Sequence, residues 1–296
     1  MKSAEAALLL KATHRLGESM LWHETHKRLY WTDLLDPGLH SFDLATGTAT
    51  HVSIPLAAPI GSAAITNNAN SLIISHRQGL SLIDLDTFAL TPYCNPEAGR
   101  DATIYNDLKT DRWGRLWVAT SHEKERDPRG ALWCVKDRGT WALGDVGFPV
   151  SNGPAFSPDG RRMYFNDSAN YRTFVYDLSP DDLRPRNRAL FATYTEEEGM
   201  PDGLTVDAEG CIWTAQWAGA RVIRLSPEGE KLLSLHVPSG HVTSLAFGGP
   251  ELEELFITTA TDGLSPETLA RYPLSGSLFR FKPGVQGIAE PLFPQV

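Results

Sequence analysis

A pattern roughly 45 residues long recurs six times along the chain, and a repeat of that length leaves few folds open. Its clearest copies are NDLKTDRWGRLWVAT from Asn106, NGPAFSPDGRRMYFND from Asn152 and DGLTVDAEGCIWTAQW from Asp202. In each, a glycine (Gly114, Gly160 or Gly210) stands eight positions after the first residue. It closes a turn between two short runs rich in β-branched and aromatic residues, the pattern of adjacent antiparallel strands. Weaker copies begin at Glu18, Ser62 and Thr243, so the lead positions are 18, 62, 106, 152, 202 and 243, spaced by 44, 44, 46, 50 and 41 residues. A third strand closes each unit (LHSFDL, GLSLIDL, GALWCV, TFVYDL, ARVIRL, GSLFRF), and most units show a fourth, such as KLLSLHV after Glu230. The prediction is an all-β fold, a six-bladed β-propeller of four-stranded blades, forming a single domain over residues 1–296. Six copies in one register disfavour the alternative, a β-sandwich with irregular loops.

A ring of blades has to close, and open edges template aggregation. Residues 6–11 are expected to pair as the outer strand of the last blade, with IAEPLF near the C-terminus as the competitor for that role. The one helical reading is SPETLARY, in which Ser265 would N-cap a turn beginning at Pro266.

The first strand of each propeller blade lines the central channel, so residues far apart in sequence converge at equivalent positions. The six lead residues are Glu18, Ser62, Asn106, Asn152, Asp202 and Thr243. Two carboxylates and two carboxamides meeting there are costly to bury without compensation. A hard divalent cation with oxygen ligands supplies it, and the absence of His or Cys at lead positions disfavours a soft zinc site. Taken alone, Asn152 and Asp202 read as ordinary Asn-Gly and Asp-Gly turn residues; the shared register favours a metal.

Composition narrows the partners. With 27 Lys and Arg against 36 Asp and Glu, the net charge is −9, which excludes nucleic acid or an anionic membrane as the main partner. No apolar run approaches a membrane span, and MKSAEAALLLKATH lacks the features of a secretory signal. Three widely spaced cysteines suit neither a disulfide framework nor a metal clip. The expected location is the cytoplasm, and the expected quaternary state a monomer or weak homodimer. His23 and His26 are expected to form a solvated surface pair, and Trp113, Trp117, Trp133, Trp141 and Trp213 to pack between blades. The charged run HEKERDPRG (122–130) reads either as a solvated connection or as a lid.

The stretches LGESMLW, YNDLKTDRWGRLWVAT, SNGPAFSPDGRRMYFNDS, GMPDGLTVDAEGCIWTAQWAGARVIRL and VTSLAFGG resemble the sugar-lactone hydrolases of the regucalcin (senescence marker protein) and gluconolactonase family. The resemblance implies a six-bladed propeller with one catalytic divalent metal (Ca, Mg, Mn or Zn) on oxygen ligands. It implies Glu18, Asn152 and Asp202 as metal ligands, Asp202 as general base, and Asn106 as a residue holding substrate or its water. Two positions depart from the family pattern: Ile104 stands where a substrate-contacting arginine is usual, and Leu108 where a glycine is. Glu123 is the equivalent drawn for an acidic residue that binds sugar hydroxyls, Tyr105 is expected to add an apolar wall, and Lys124 or Arg126 to replace the missing donor. The implied function is hydrolysis of an aldonolactone to the aldonic acid. The alternatives are a non-catalytic calcium-binding propeller and a hydrolase of other esters, such as organophosphates.

Overall fold

The computed structural model describes residues 2–295 and consists of six sheets, each built on consecutive antiparallel strands. Their first strands are Gly17–His23, Ile60–Ile65, Thr103–Thr110, Ser151–Phe156, Met200–Val206 and His241–Gly248, defining blades 1 to 6. Each first strand touches the first strand of the next blade, and the sixth touches the first, so the ring closes around one axis. The glycines that mark the repeat turn the chain where expected. Gly114, Gly160 and Gly210 have φ of +78°, +74° and +82°, a region that residues with a Cβ rarely enter.

The apolar alternation of the strands fills the space between blades. Trp117 and Trp213 are fully buried there, Trp113 and Trp133 partly so, while Trp141 lies on an outer strand and is 38% exposed, against the expectation of packing between blades. Each buried indole N–H needs an acceptor. Trp117 Nε1 donates to Asp111 Oδ2 at 2.8 Å, and Trp213 Nε1 donates to Asp207 Oδ2 at 2.8 Å. Each aspartate opens the turn that its repeat glycine closes.

Closure uses the N-terminal segment, as the sequence suggested, and more of it than suggested. Ala7–Leu10 pairs antiparallel with Leu278–Phe281 as the outer strand of blade 6. Lys2–Glu5 goes further and adds in parallel to Lys231–His236, giving blade 5 a fifth strand. IAEPLF does not close the ring. It crosses the turn end of the channel, where Phe293 is buried against Tyr93 and Glu290 pairs with Lys109 at 3.2 Å. The short helix Pro266–Arg271 is capped as read, with Ser265 Oγ accepting from Thr268 N at 3.1 Å.

His23 and His26 depart from expectation. His23 ends an inner strand and is 2% exposed, with its ring stacked on His26 at 4.0 Å. Burial lowers His23 to about 4, and the same cause lowers His241 to about 4 and His40 to about 3. The unfolded chain takes up these protons nearer pH 6.5. The stability contributed by keeping the rings neutral is therefore present above about pH 6.5 and is lost as the pH falls toward 4. NMR titration of the ring protons should give midpoints about two or more units below a solvated histidine; midpoints near 6.5 would contradict the packing described.

Candidate active site

In every blade the first strand loses register with the second within two residues of the lead position. The shifts fall between Glu18 and Leu21, Ile60 and Ala63, Tyr105 and Leu108, Asn152 and Ala155, Pro201 and Leu204, and Val242 and Leu245. A bulge re-aims the side chains around it, and six at one height turn the leads toward the axis. Backbone geometry at the site depends on small residues. Gly153, after Asn152, has φ +80°, and a Cβ there would sit 2.8 Å from Leu204 Cδ1. Ser19, after Glu18, also takes a positive φ of 56°.

Four of the six leads, Glu18, Asn106, Asn152 and Asp202, line one cavity of about 200 Å³ at the strand-start end of the channel. Asn106 Nδ2 donates to Asn152 Oδ1 and to the Ser151 carbonyl, both at 2.7 Å. Asn152 Nδ2 in turn donates to Ser168 Oγ at 3.0 Å. Both amides are thereby oriented with their oxygens free for further contacts, since each carbonyl oxygen has two lone pairs. The Asp202 backbone is fixed by Asn166 Nδ2, which donates to its carbonyl at 2.6 Å. The other two leads brace the wall: Ser62 Oγ donates to Asp107 Oδ1 at 2.8 Å, and Thr243 Oγ1 donates to the Gly17 carbonyl.

Asp107 is a site residue that the repeat did not isolate. The blade 3 bulge turns it inward beside its neighbour, where its second oxygen accepts from Gly153 N at 2.9 Å. Glu18, Asp107 and Asp202 thus converge with little solvent. Glu18 is pushed well above the usual carboxylate range by burial and by the charges of Asp202 and Asp107. Asp202 is pushed up by burial and by Asp107 and Glu125, and Asp107 by burial. Among the described residues, neither Glu18 nor Asp202 pairs with any Lys, Arg or His. The nearby Lys109 is committed to Glu290 and to the Leu204 carbonyl.

This donor set fits a hard divalent cation, which would relieve three mutually repelling carboxyl groups and take amide oxygen as well. The contrast with Asp207, Glu209 and Cys211, which lie within 4.8 Å of one another, is instructive. There Arg224 contacts both carboxylates, and Asp207 already accepts from Glu209 N, Cys211 N and Trp213 Nε1, so the protein supplies the counter-charge itself.

The expected substrate residues separate. Ile104 lines the cavity, as expected. Tyr105, one position on, points to the opposite face of its strand. It is buried in the core between blades, and its hydroxyl donates to Asn95 Oδ1 at 2.8 Å, so it forms no wall of this cavity. Glu123 is exposed and pairs with Arg77 at 3.6 Å. Glu125, with a left-handed φ of 56°, is the acidic residue that reaches the cavity from the 122–130 segment. Lys124 and Arg126 do not line it. Ser121, Ser168, Met200 and Trp217 complete residues that the sequence reading missed. Trp217 ends its strand just before an outward turn, and only that strand-end position hinted at a role.

Known proteins share this fold. The model of the SMP-30/gluconolactonase/LRE-like region matches residues 16–261. A 6-deoxy-6-sulfogluconolactonase of Pseudomonas putida is 35% identical over 281 residues, covering 94% of each chain. A pentonolactonase of Haloferax volcanii is 30% identical over 286 residues, covering 93% of this chain and 94% of its own. The crystal structure of a calcium-binding protein, regucalcin, from Agrobacterium tumefaciens superposes with a TM-score of 0.93 at 27% identity, covering 99% of both chains. With that model matching residues 16–261, most of its length, this chain belongs to the SMP-30/gluconolactonase/LRE-like family.

Proposed function

We propose that the protein hydrolyses a sugar lactone to the open-chain aldonic acid. The observation that carries this reading is the convergence of Glu18, Asn106, Asn152 and Asp202 in one cavity, with no Lys, Arg or His among the described residues paired to either carboxylate, in a chain whose relatives include named lactonases. Glu18, Asn152 and Asp202 would hold a divalent cation. When bound, it supplies Lewis acidity at the lactone carbonyl oxygen.

The chain's own groups provide the rest. Asp202 takes a proton from water as the water oxygen adds to the carbonyl carbon. It returns the proton to the ring oxygen as the C–O bond breaks, so the net reaction consumes one water. Asn106 has both amide protons engaged, which leaves Oδ1 as an acceptor to fix a substrate hydroxyl or the attacking water. The cavity volume lies below the roughly 300–1,000 Å³ of sites for drug-sized ligands, which suits a single small ring.

A lactone panel with a pH-indicator readout tests the proposal. Activity should vanish in chelator and return on titration with Ca²⁺, Mg²⁺, Mn²⁺ or Zn²⁺. Tight calcium binding without turnover of any lactone would instead favour a calcium-binding propeller, as the Agrobacterium regucalcin is described. Calorimetric titration should show weaker cation binding in each of Glu18→Gln, Asn152→Ala and Asp202→Ala. Their far-UV spectra should match the parent, because the core lies between blades. Unchanged binding in all three would remove the channel assignment.

A further inference from the structure

We propose that this cavity selects a neutral lactone whose ring carries an apolar substituent, a deoxy or short alkyl carbon, over polyhydroxylated or anionic lactones. The proposal rests on the lactonase reading above and concerns the wall opposite the oxygen ligands. Stepping back two residues along a strand returns to the same face. Two positions before Glu18, Asn106, Asn152 and Asp202 stand Leu16, Ile104, Val150 and Met200, and all four line the cavity. Four of the six blades therefore each supply one oxygen-bearing and one hydrocarbon side chain to the cavity, in two successive levels. A lactone with its carbonyl at the first level directs its ring substituent into the second.

Leu34 and Trp217 complete the apolar collar. The indole is held flat by stacking on His241 at 3.8 Å with the planes 8° apart. His241 is itself 7% exposed, and its Nδ1 accepts from Ala218 N at 3.1 Å, so the stack is anchored to the backbone. A hydroxyl set against Leu16, Leu34, Ile104, Val150 or Met200 would lose its water without gaining a partner from their side chains.

Charge sharpens the choice. Among the described residues that line the cavity none is Lys, Arg or His, and Glu125 is acidic and lies outside the cation's ligand set. A carboxylate, phosphate or sulfonate on the substituent would meet hydrocarbon or like charge. Beyond the oxygen-bearing level, Ser121 Oγ accepts from Ser151 N at 3.0 Å and Ser168 Oγ accepts from Asn152 Nδ2 at 3.0 Å. Glu125 remains, as an acceptor for one ring hydroxyl.

The test compares three hexonolactones that differ only at C6, carrying hydroxyl, hydrogen or carboxylate, with saturating divalent cation. The 6-deoxy compound should exceed the 6-hydroxy compound in kcat/KM by at least about tenfold, the scale of one unpaired buried hydroxyl, and the carboxylate should be worst. Ile104→Arg should compress or reverse that order. A parent ratio within twofold, or a preference for the carboxylate, would overturn the proposal while leaving the lactonase reading intact. Binding of the matching lactams, followed by tryptophan fluorescence, keeps the two readings separate. Tighter binding of the 6-deoxy lactam in a protein that turns over no lactone would support the collar and sink the hydrolase; equal binding would overturn the collar.

Discussion

Replacing Asp202 with asparagine should lower kcat by about 10²–10⁴-fold at saturating cation, the usual size of a general-base contribution. The substitution keeps an oxygen in place for the cation, and the Asp202 carbonyl would still accept from Asn166, so strand and bulge should not move. It removes a carboxylate that burial, Asp107 and Glu125 raise above its ordinary range, and leaves an amide that cannot take a proton. The pH profile is the sharper readout. The parent kcat should rise with pH as Asp202 ionises, and the variant should lose that limb. A variant within a few-fold of parental kcat, with the limb retained, would assign the base to another group, and Asp107 would be the next to replace. The companion variant Asp107→Asn should lose less, since that carboxylate already accepts from Ser62, Leu108 N and Gly153 N.

Asp111→Ala should be the costliest single change to stability, about 3–5 kcal/mol, because it leaves a buried arginine without its partner. Asp111 Oδ2 accepts from Arg115 Nε at 2.7 Å and from Trp117 Nε1, while Oδ1 accepts from the backbone of Trp113 and Arg115. Arg115 also donates to the carbonyls of Ser179 and Asp182, tying blade 3 to blade 4. Losing the carboxylate therefore strands a charge, an indole N–H and two backbone N–H groups in one place. Urea melts should rank the parent, Asp111→Asn and Asp111→Ala in that order of falling stability, because asparagine can still accept but not neutralise. A loss under about 1 kcal/mol for the alanine variant would mean that water replaces the carboxylate, contrary to its full burial.

Blade number, turn glycines and the four cavity-lining leads were legible because each rests on a pattern repeated along one dimension. What was not legible depends on geometry that varies between copies. Asp107 reaches the site only because a bulge breaks alternation beside it, and a register shift leaves no mark in composition. Tyr105 was misplaced by treating neighbours on a strand as sharing a face, although alternation sends Ile104 and Tyr105 apart. Glu123 and Glu125 differ only in loop conformation, and the left-handed turn at Glu125 decides which one faces the cavity. His23 looked like half of a polar turn, yet strand Gly17–His23 runs one residue into it and carries the ring inward.

The N-terminal strands set the order in which the molecule can be completed. Lys2–Glu5 and Ala7–Leu10 leave the ribosome first, but their partners, Lys231–His236 and Leu278–Phe281, are made almost last. Between those events blade 5 lacks its edge strand and blade 6 cannot exist, so a nascent chain carries unpaired strand edges for most of its synthesis. Bringing ends so distant in sequence together is slow, and this last step is where chaperone engagement or misassembly would concentrate. A circular permutant that begins near Gly17, with a linker long enough to run from the C-terminal segment beside Asn67 to the outer edge of blade 5, would make the same closure between neighbours in sequence, and should refold faster with the native ring unchanged.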